Sequence, residues 1–439
     1  MGKWRAFEQF VEELMDKEQI PGVAVAVSVG GQVVYEQGFG KRNLETMEPV
    51  TPDTIFGIAS VTKSFTALAI MKLAEEGKVQ IHKPVVHYLP DFKLCGYKKS
   101  DQITIHHLLS HTTGVGSVER KEQLTNLEEH LRYLAEKKLD VLGDPGAHMS
   151  YNNDLFLLLG AIIEKVTGEH YKTYITKQII EPLRMNRTTF DLEQLRHFEN
   201  VSVPYVFNSG RPTKCAWPTL GNYAVGGGIR SSVKDLLKYG QLYLHRFAHG
   251  IVSKKTTDIM AKPVHRTQQN RHYGYGLHIT PRYGEVTLVE HGGGQPGVSS
   301  NFGFIPEKEI VVAVLTNVSG VSADAIWLAA ANNALGLPLD RKRYTAPQIA
   351  LDEGQLKGMV GCYASDEGYQ VEIELEEQGL VAQIDQNNFP LCALSRQSFV
   401  MMPNEKPLEF VLNEKNEVWA LFFGLRLLVK RPVGVILGE

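Results

Sequence analysis

The chain has 439 residues, too many for one ordinary hydrophobic core, so a larger domain and a smaller appended one are expected. Hydrophobic residues make up 43% and charged residues 22%, as in ordinary globular proteins. A formal net charge of −3 gives no reason to expect nucleic acid or an anionic membrane as a partner. The function classes that remain are an enzyme and a binding module.

The four cysteines are far apart and form no CxxC pair, which argues against a zinc ribbon and against a dense disulfide framework: Cys95, Cys215, Cys362 and Cys392. We expect reduced thiols. The N-terminus lacks the apolar run of a secretion signal, and no later stretch approaches the ~20 apolar residues of a membrane span. The sequence therefore predicts a cytoplasmic protein without a membrane span.

The first elements in chain order are a predicted helix and a hairpin. Apolar residues recur at three- and four-residue spacing from Trp4 to Leu14, so an amphipathic helix should end before Pro21. Two β-rich runs, 23–29 and 33–39, are joined by Gly30-Gly31, a dipeptide that suits the positive φ angles of a tight turn.

From residue 60 the pattern becomes helical. Residues 60–76 are nearly all apolar, which predicts a buried helix, and further helical patterns alternate with loops at 124–138, 154–167 and 233–245. Strands are predicted again at 286–290, 301–305 and 310–317, before a last helix at 323–335. Strands at both ends of residues 1–340 thus bracket a helical insert, which predicts a mixed α/β domain.

The C-terminal part has a different character. Residues 341–353 are polar and contain Pro347, as a linker would, between predicted domains 1–340 and 354–439. Val371–Glu376 alternates strictly between apolar residues and glutamates, and β-rich runs continue to Val429. We expect a small antiparallel barrel or sandwich that shapes access to a cleft or mediates assembly without supplying catalytic groups.

A serine and a lysine three residues apart on a helix share one face, so the lysine can help to activate the hydroxyl. The chain contains this pattern twice, at Ser60–Lys63 and at Ser231–Lys234. The second overlaps Ser232-Val-Lys-Asp235, which is close to a capping box and precedes an amphipathic helix, so the Ser231 match is interpreted as a cap. Lys63 instead precedes an apolar helix, where burial would lower its pKa; the alternative is a surface lysine on the first turn.

A second candidate element is Tyr151-Asn-Asn153, the only Tyr-x-Asn among 17 tyrosines. A tyrosine becomes a general base only if cations lower its pKa, and Lys63 is a candidate for that role. In isolation, a loop aromatic beside an N-cap asparagine explains the same residues.

The third element is His291-Gly-Gly-Gly294, in which glycines allow a close backbone approach and leave N–H groups free for an oxyanion. The same stretch spells Gly292-x-Gly294-x-x-Gly297, a dinucleotide fingerprint. Pro296 lies inside it and strands follow, so a nucleotide site is rejected.

These elements, in this order, resemble the serine β-lactamase and penicillin-binding-protein superfamily, most closely its class C-like β-lactamases, D-amino-acid peptidases and related esterases. The resemblance runs from about residue 10 to about residue 335 and includes the connecting stretches 54–63, 103–114, 145–153 and 226–229. It implies an antiparallel sheet beside a helical region, with the site in the cleft between them.

The resemblance also implies roles for individual residues. Ser60 would attack the substrate and Lys63 would assist its deprotonation. Tyr151 would act as the base and protonate the leaving group, and Asn153 would hold the substrate's amide. The backbone N–H groups of Ser60 and Gly294 would form the oxyanion hole. Gly293 is predicted to belong to the same group of substrate-binding and oxyanion residues. No cofactor or metal is expected, and His107 and His111 are assigned structural roles.

The sequence departs from the β-lactamase pattern at His291, where a lysine is expected. A neutral imidazole is a poorer partner for a carboxylate, so peptidases or esterases are favoured; some of them share a His-x-Gly motif and a lipocalin-like C-terminal barrel. The predicted function is therefore serine hydrolysis of small amides or esters through an acyl-enzyme. The alternative is a β-lactamase or a slowly deacylating penicillin-binding sensor. The expected partner is a small-molecule or peptide substrate. A homo-oligomer is compatible with the sequence.

Overall fold

The computed structural model describes residues 2, 4–244, 250–403 and 405–432. Its α-helices have these bounds: α1 Arg5–Glu18, α2 Thr62–Glu75, α3 Ile105–Ser110, α4 Leu127–Glu136, α5 Asn153–Phe156, α6 Leu158–Thr167, α7 Tyr171–Ile175, α8 Leu192–Leu195, α9 Ala224–Gly227, α10 Val233–Tyr243, α11 Lys254–Met260, α12 Ala323–Leu335 and α13 Glu353–Lys357. The predicted helix 154–167 is thus split between α5 and α6, and the last residue of the predicted helix 233–245 lies outside the described residues.

The first twelve strands belong to the N-terminal part of the chain: β1 Gly22–Val29, β2 Gln32–Gly40, β3 Phe56–Gly57, β4 Tyr205–Asn208, β5 Arg211–Lys214, β6 Arg230–Ser231, β7 His265–Gln268, β8 Arg271–Tyr273, β9 His278–Tyr283, β10 Val286–Gln295, β11 Val298–Ile305 and β12 Ile310–Thr316. Eight of them form one antiparallel sheet in the order β2-β1-β12-β11-β10-β9-β8-β7. Because β1 pairs with β12, the two ends of this region meet in the sheet, as predicted.

Both faces of the sheet are covered, which explains the uninterrupted apolar run of β1. Val23, Val25 and Val27 face the core formed with α1 and α12, whereas Ala24 and Ala26 face the larger core that contains α2 and α10. The mixed α/β fold class is confirmed. The helical insert lies on the second face, and the turn of residues 59–61 directly before α2 contacts the sheet at β10 and β11.

The remaining strands close into an eight-stranded antiparallel barrel: β13 Gly361–Ala364, β14 Gln370–Glu376, β15 Gly379–Ile384, β16 Asn387–Ala393, β17 Ser398–Met401, β18 Lys406–Leu412, β19 Val418–Phe423 and β20 Arg426–Arg431. Val371 and Ile373 of β14 point into its core, as the alternation predicts. The barrel is confirmed, while the domain boundaries stay a prediction. Within the predicted linker, Arg343 is ion-paired with Glu290 and Asp324 of the larger part.

No helix in the described part of the chain is long and apolar enough to cross a lipid bilayer.

Candidate active site

Ser60 lies in a single turn of 3₁₀ helix, Ala59–Val61, directly before α2. Ala59 has a φ angle of 46°, a left-handed conformation that costs a residue with a Cβ about 1 kcal/mol. The backbone therefore turns sharply at the residue before the serine. Ser60 is partly exposed and lines the floor of a cleft of about 570 Å³.

Lys63 follows one turn later and is 1% exposed. Its Nζ lies 3.3 Å from Ser60 Oγ and donates to the Gly226 carbonyl oxygen at 3.1 Å. Burial lowers the pKa of Lys63 well below its ordinary value, and the nearby Arg120 and Arg426 lower it further. The structure thus buries this lysine beside the serine, in a form that favours the neutral amine.

Tyr151 lies above Lys63, whose Nζ is 4.9 Å from the centre of the phenol ring. Burial raises the pKa of Tyr151, although Ser60 and Arg426 lower it in part. Among the described residues its hydroxyl has no well-formed hydrogen bond. The expectation that Lys63 lowers the tyrosine's pKa is wrong in direction, because loss of solvation outweighs the nearby cations.

Asn153 opens α5, while the preceding Asn152 caps that helix by accepting from Leu155 N–H at 2.9 Å. The Asn153 side chain donates to Glu367 of the barrel at 3.4 Å. Glu367 is held in turn by Arg426 at 2.7 and 3.0 Å. Barrel side chains therefore reach the candidate substrate-binding asparagine.

The glycines of the third element lie within β10, which continues through residue 295 rather than ending at residue 290. Residues 291–295 pair only with β11, since β9 pairs with β10 no further than Glu290. One edge of β10 is thus unpaired beside the cleft, where backbone N–H groups are available to a substrate oxygen. Gly293 and Gly294 both line the cleft.

Gly293 permits the close approach of β10 to the turn Ala59–Val61 and its N-cap Ile58, called the serine turn. A Cβ at residue 293 would lie 2.4 Å from both the Ile58 carbonyl oxygen and Ser300 Oγ. At Gly294 a Cβ would meet nothing within 4 Å. Gly293 must therefore lack a side chain because of this contact, whereas no such contact restricts Gly294.

His291 lines the cleft, yet its ring is buried and both nitrogens are engaged. Nδ1 lies 2.6 Å from the Gly292 carbonyl oxygen and must donate to it, so Nε2 accepts from the Tyr273 hydroxyl at 2.9 Å. Burial and the nearby Lys63 lower the pKa of His291 to about 3. The imidazole is therefore neutral throughout the mildly acidic range.

The second serine–lysine pair is structural, and the helix cap lies at the serine of the stretch 232–235 rather than at Ser231. Ser232, not Ser231, caps α10 by accepting from Asp235 N–H at 3.3 Å. Ser231 is buried in β6 and lies 2.7 Å from the Thr188 hydroxyl. Lys234 points away and pairs with Asp53 at 3.1 Å.

The two histidines with predicted structural roles lie in different surroundings, His107 at a helix terminus and His111 beside the cleft residue Tyr151. His107 completes a capping box with Thr104 at the start of α3. His111 is buried against Tyr151, with ring centres 4.2 Å apart, and its Nδ1 accepts from Asn152 N–H. The described residues bring no three metal-ligating side chains together.

The structure brings all the predicted site residues to one cleft, together with several that sequence reasoning missed: Arg120, Tyr223, Arg271, Glu367, Tyr369 and Arg426. Gly226 was noted only within a connecting stretch. Its close contact explains the absence of a side chain, because a Cβ would lie 2.7 Å from Lys63 Nζ. The other missed residues carry no local motif, since they come from segments that are distant in the chain and meet only in the folded protein.

Comparisons with known proteins agree with the mixed α/β fold. The family model described as Beta-lactamase matches residues 7–335. The octameric penicillin-binding protein homologue from Pyrococcus abyssi is 32% identical, with a TM-score of 0.73 over 97% of this chain and 99% of that one. SurE, in a crystal structure with D-Leu, gives a TM-score of 0.76 at 22% identity, covers 98% of this chain and 99% of that one, and shows likeness of fold.

Two curated proteins show similarity of different extent. Penicillin-binding protein 4* of Bacillus subtilis (strain 168) is 27% identical over 440 residues, 94% of each chain. Protein flp of Staphylococcus aureus (strain MW2) is 34% identical over 189 residues. That alignment covers 42% of this chain and 37% of flp, so the chain spans little more than a third of the length of flp.

Proposed function

The chain belongs to the Beta-lactamase family, whose members are serine hydrolases, and on this basis we propose that it hydrolyses small amides or esters through an acyl-enzyme on Ser60. The observation that carries the proposal is the position of Ser60 Oγ, 3.3 Å from the buried Nζ of Lys63 in an open cleft. A hydroxyl beside an amine of lowered pKa is the arrangement that an activated serine needs.

In the proposed reaction, Lys63 accepts the proton of the Ser60 hydroxyl as Oγ attacks the substrate carbonyl carbon. The backbone N–H groups of Ser60 and Gly294 would hold the developing oxyanion. Tyr151, a neutral phenol because of its raised pKa, would donate its proton to the leaving group and recover one from Lys63. Water then attacks the acyl-enzyme by the reverse of these proton transfers and releases the acid.

The alternative function is a β-lactamase or a slowly deacylating penicillin-binding protein. The names of two relatives, a penicillin-binding protein and a penicillin-binding protein homologue, favour it. The neutral, fully engaged ring of His291 argues against it, because this position offers no cation to a penicillin carboxylate. Hydrolysis of amides or esters therefore remains the first proposal.

A substrate panel tests the choice: p-nitrophenyl esters, aminoacyl p-nitroanilides of both chiralities, and nitrocefin. We expect turnover of esters or anilides that is faster than turnover of nitrocefin. Stoichiometric acylation by a penicillin without turnover would favour the alternative. Failure of a serine-directed phosphonate to label the protein, together with no turnover of any substrate, would overturn both.

The proposal also covers assembly and location. An octameric homologue supports a homo-oligomer, which light scattering of the purified protein would test. Four free cysteines support a reducing, cytoplasmic location, which cell fractionation would test.

A further inference from the structure

Three of the described residues that line the cleft are arginines, and two of them already have carboxylate partners that are buried or nearly so. Arg271 pairs with Glu290, which is completely buried, at 3.0 Å, and Arg426 pairs with Glu367. Arg120 is different, since among the described residues its only carboxylate partner is Glu122, which is exposed and does not line the cleft. Arg120 is therefore the arginine of the cleft whose charge is least neutralised by carboxylates of the described residues.

The position of Arg120 is determined by an aromatic support. Its guanidinium carbon lies 4.1 Å from the centre of the Tyr223 ring, a stacking contact. Tyr223 is 3% exposed, and its hydroxyl donates to Asp154 and accepts from Lys121 N–H at 3.0 Å. A buried ring held at its hydroxyl is a rigid surface, so Arg120 is ordered before any ligand arrives.

The unused donors of Arg120 are its two terminal nitrogens. Glu122 occupies only Nε, at 2.6 Å, and no other described residue accepts from Nη1 or Nη2. A guanidinium that is stacked on a ring keeps its edge free for the two oxygens of a planar anion. The side chain is 36% exposed, so a ligand in the cleft can reach it.

From this geometry we infer that Arg120 is a specificity-determining residue that binds a carboxylate of the substrate. The inference rests on the proposed hydrolase function and names its substrate class: an ester or amide with a free carboxylate on the acyl or the leaving portion. The carboxylate is thus recognised in the wall formed by Arg120 and Tyr223, and not at His291, which has no free donor.

Two matched substrate pairs test this inference. p-Nitrophenyl propionate and the p-nitrophenyl monoester of succinic acid differ by a carboxylate on the acyl side. Phenyl acetate and p-acetoxybenzoate differ by one on the leaving group. In at least one pair, Arg120→Gln should lower the ratio of kcat/KM, charged over uncharged substrate, about tenfold or more, as expected for a lost charged hydrogen bond. The ratio cancels any effect of Arg120 on Lys63, because both substrates use the same lysine.

Three controls sharpen the result. Arg132→Gln, an exposed arginine of α4 outside the cleft, should leave both ratios unchanged. Arg120→Lys should keep part of the preference, and added salt should lower the ratio in the wild type more than in Arg120→Gln. Ratios in both pairs that stay within about twofold in Arg120→Gln would overturn the inference. If the wild type hydrolyses none of these esters, the inference in this form is overturned, whereas the proposed function fails only if the phosphonate also leaves the protein unlabelled and no substrate of the panel is turned over.

Discussion

At the scale of single residues, burial determines the chemistry of the cleft. Lys63, Tyr151 and His291 are all buried, and loss of solvation moves each pKa in the direction that disfavours the charged form. Lys63 therefore becomes the candidate base, and Tyr151 becomes a proton donor. The sequence identified these residues, but the sign of a pKa shift depends on neighbours that are distant in the chain.

His291 gives a pH-dependent prediction of stability. Its pKa is about 3 in the folded protein against an ordinary value of 6.5, so the unfolded chain takes up the proton first as the pH falls. The preference of the folded protein for a neutral His291 costs no stability above pH ~6.5, where the unfolded chain is neutral too. As the pH falls towards ~3, stability is lost at about 1.4 kcal/mol per pH unit. We expect wild type to lose about 2 kcal/mol more than His291→Asn between pH 7 and 5 in urea unfolding.

The exposed His170→Asn serves as the control for loss of an imidazole. If His291→Asn loses as much stability on acidification as the wild type, the folded protein protonates His291 in that range. Because the ring of His291 stays neutral, acidification through pH ~6.5 should not improve carboxylate binding through this residue.

At the scale of elements, the serine turn is packed against an unpaired stretch of β10. The apolar run of α2 and the β-rich run of β10 could both be predicted from periodicity. Their approach could not, because it depends on the exposed edge left where β9 ends and on the absence of a side chain at Gly293. Close contacts between distant segments leave no periodic signal in a sequence.

Adjacent glycines provide a matched test of this contact. Gly293→Ala places a Cβ 2.4 Å from the Ile58 carbonyl oxygen, so β10 and the serine turn must separate. We expect a loss of about 1–3 kcal/mol of stability and at least a tenfold loss of kcat/KM. Gly294→Ala, with open space at its Cβ, should fold normally and keep its backbone N–H. Equal effects of the two substitutions on thermal unfolding and ester hydrolysis would contradict this account.

At the scale of the whole molecule, the barrel is packed against the loop that carries Tyr151. The tip between β19 and β20 accepts from Tyr151 N–H through the Leu425 carbonyl at 2.8 Å, and Leu427 N–H donates to Ser150 Oγ at 3.1 Å. The sequence predicted a barrel and a role in shaping the cleft, yet not that its loops hold the tyrosine. That contact depends on how two separately patterned regions dock.

Substitution of two barrel arginines distinguishes the barrel's contacts at the cleft from its contacts outside the cleft. Arg426→Gln should leave the largely covered carboxylate of Glu367 without its cation and loosen Asn153, which lowers kcat/KM for ester substrates about tenfold. Arg431→Gln breaks the pair with Asp140, outside the cleft, and should change kcat/KM less than about twofold. A larger effect of Arg431→Gln than of Arg426→Gln would refute a role of the barrel at the site.

The central claim is that Ser60 is acylated, and mass spectrometry of the protein treated with a fluorophosphonate probe tests it most directly. We expect one adduct, on the peptide that contains Ser60, and none in Ser60→Ala, which removes only the attacking oxygen. Ser231→Ala should be labelled fully, because Ser231 is buried against Thr188 and outside the cleft. An adduct that persists in Ser60→Ala, or one found on Ser231, would contradict the account.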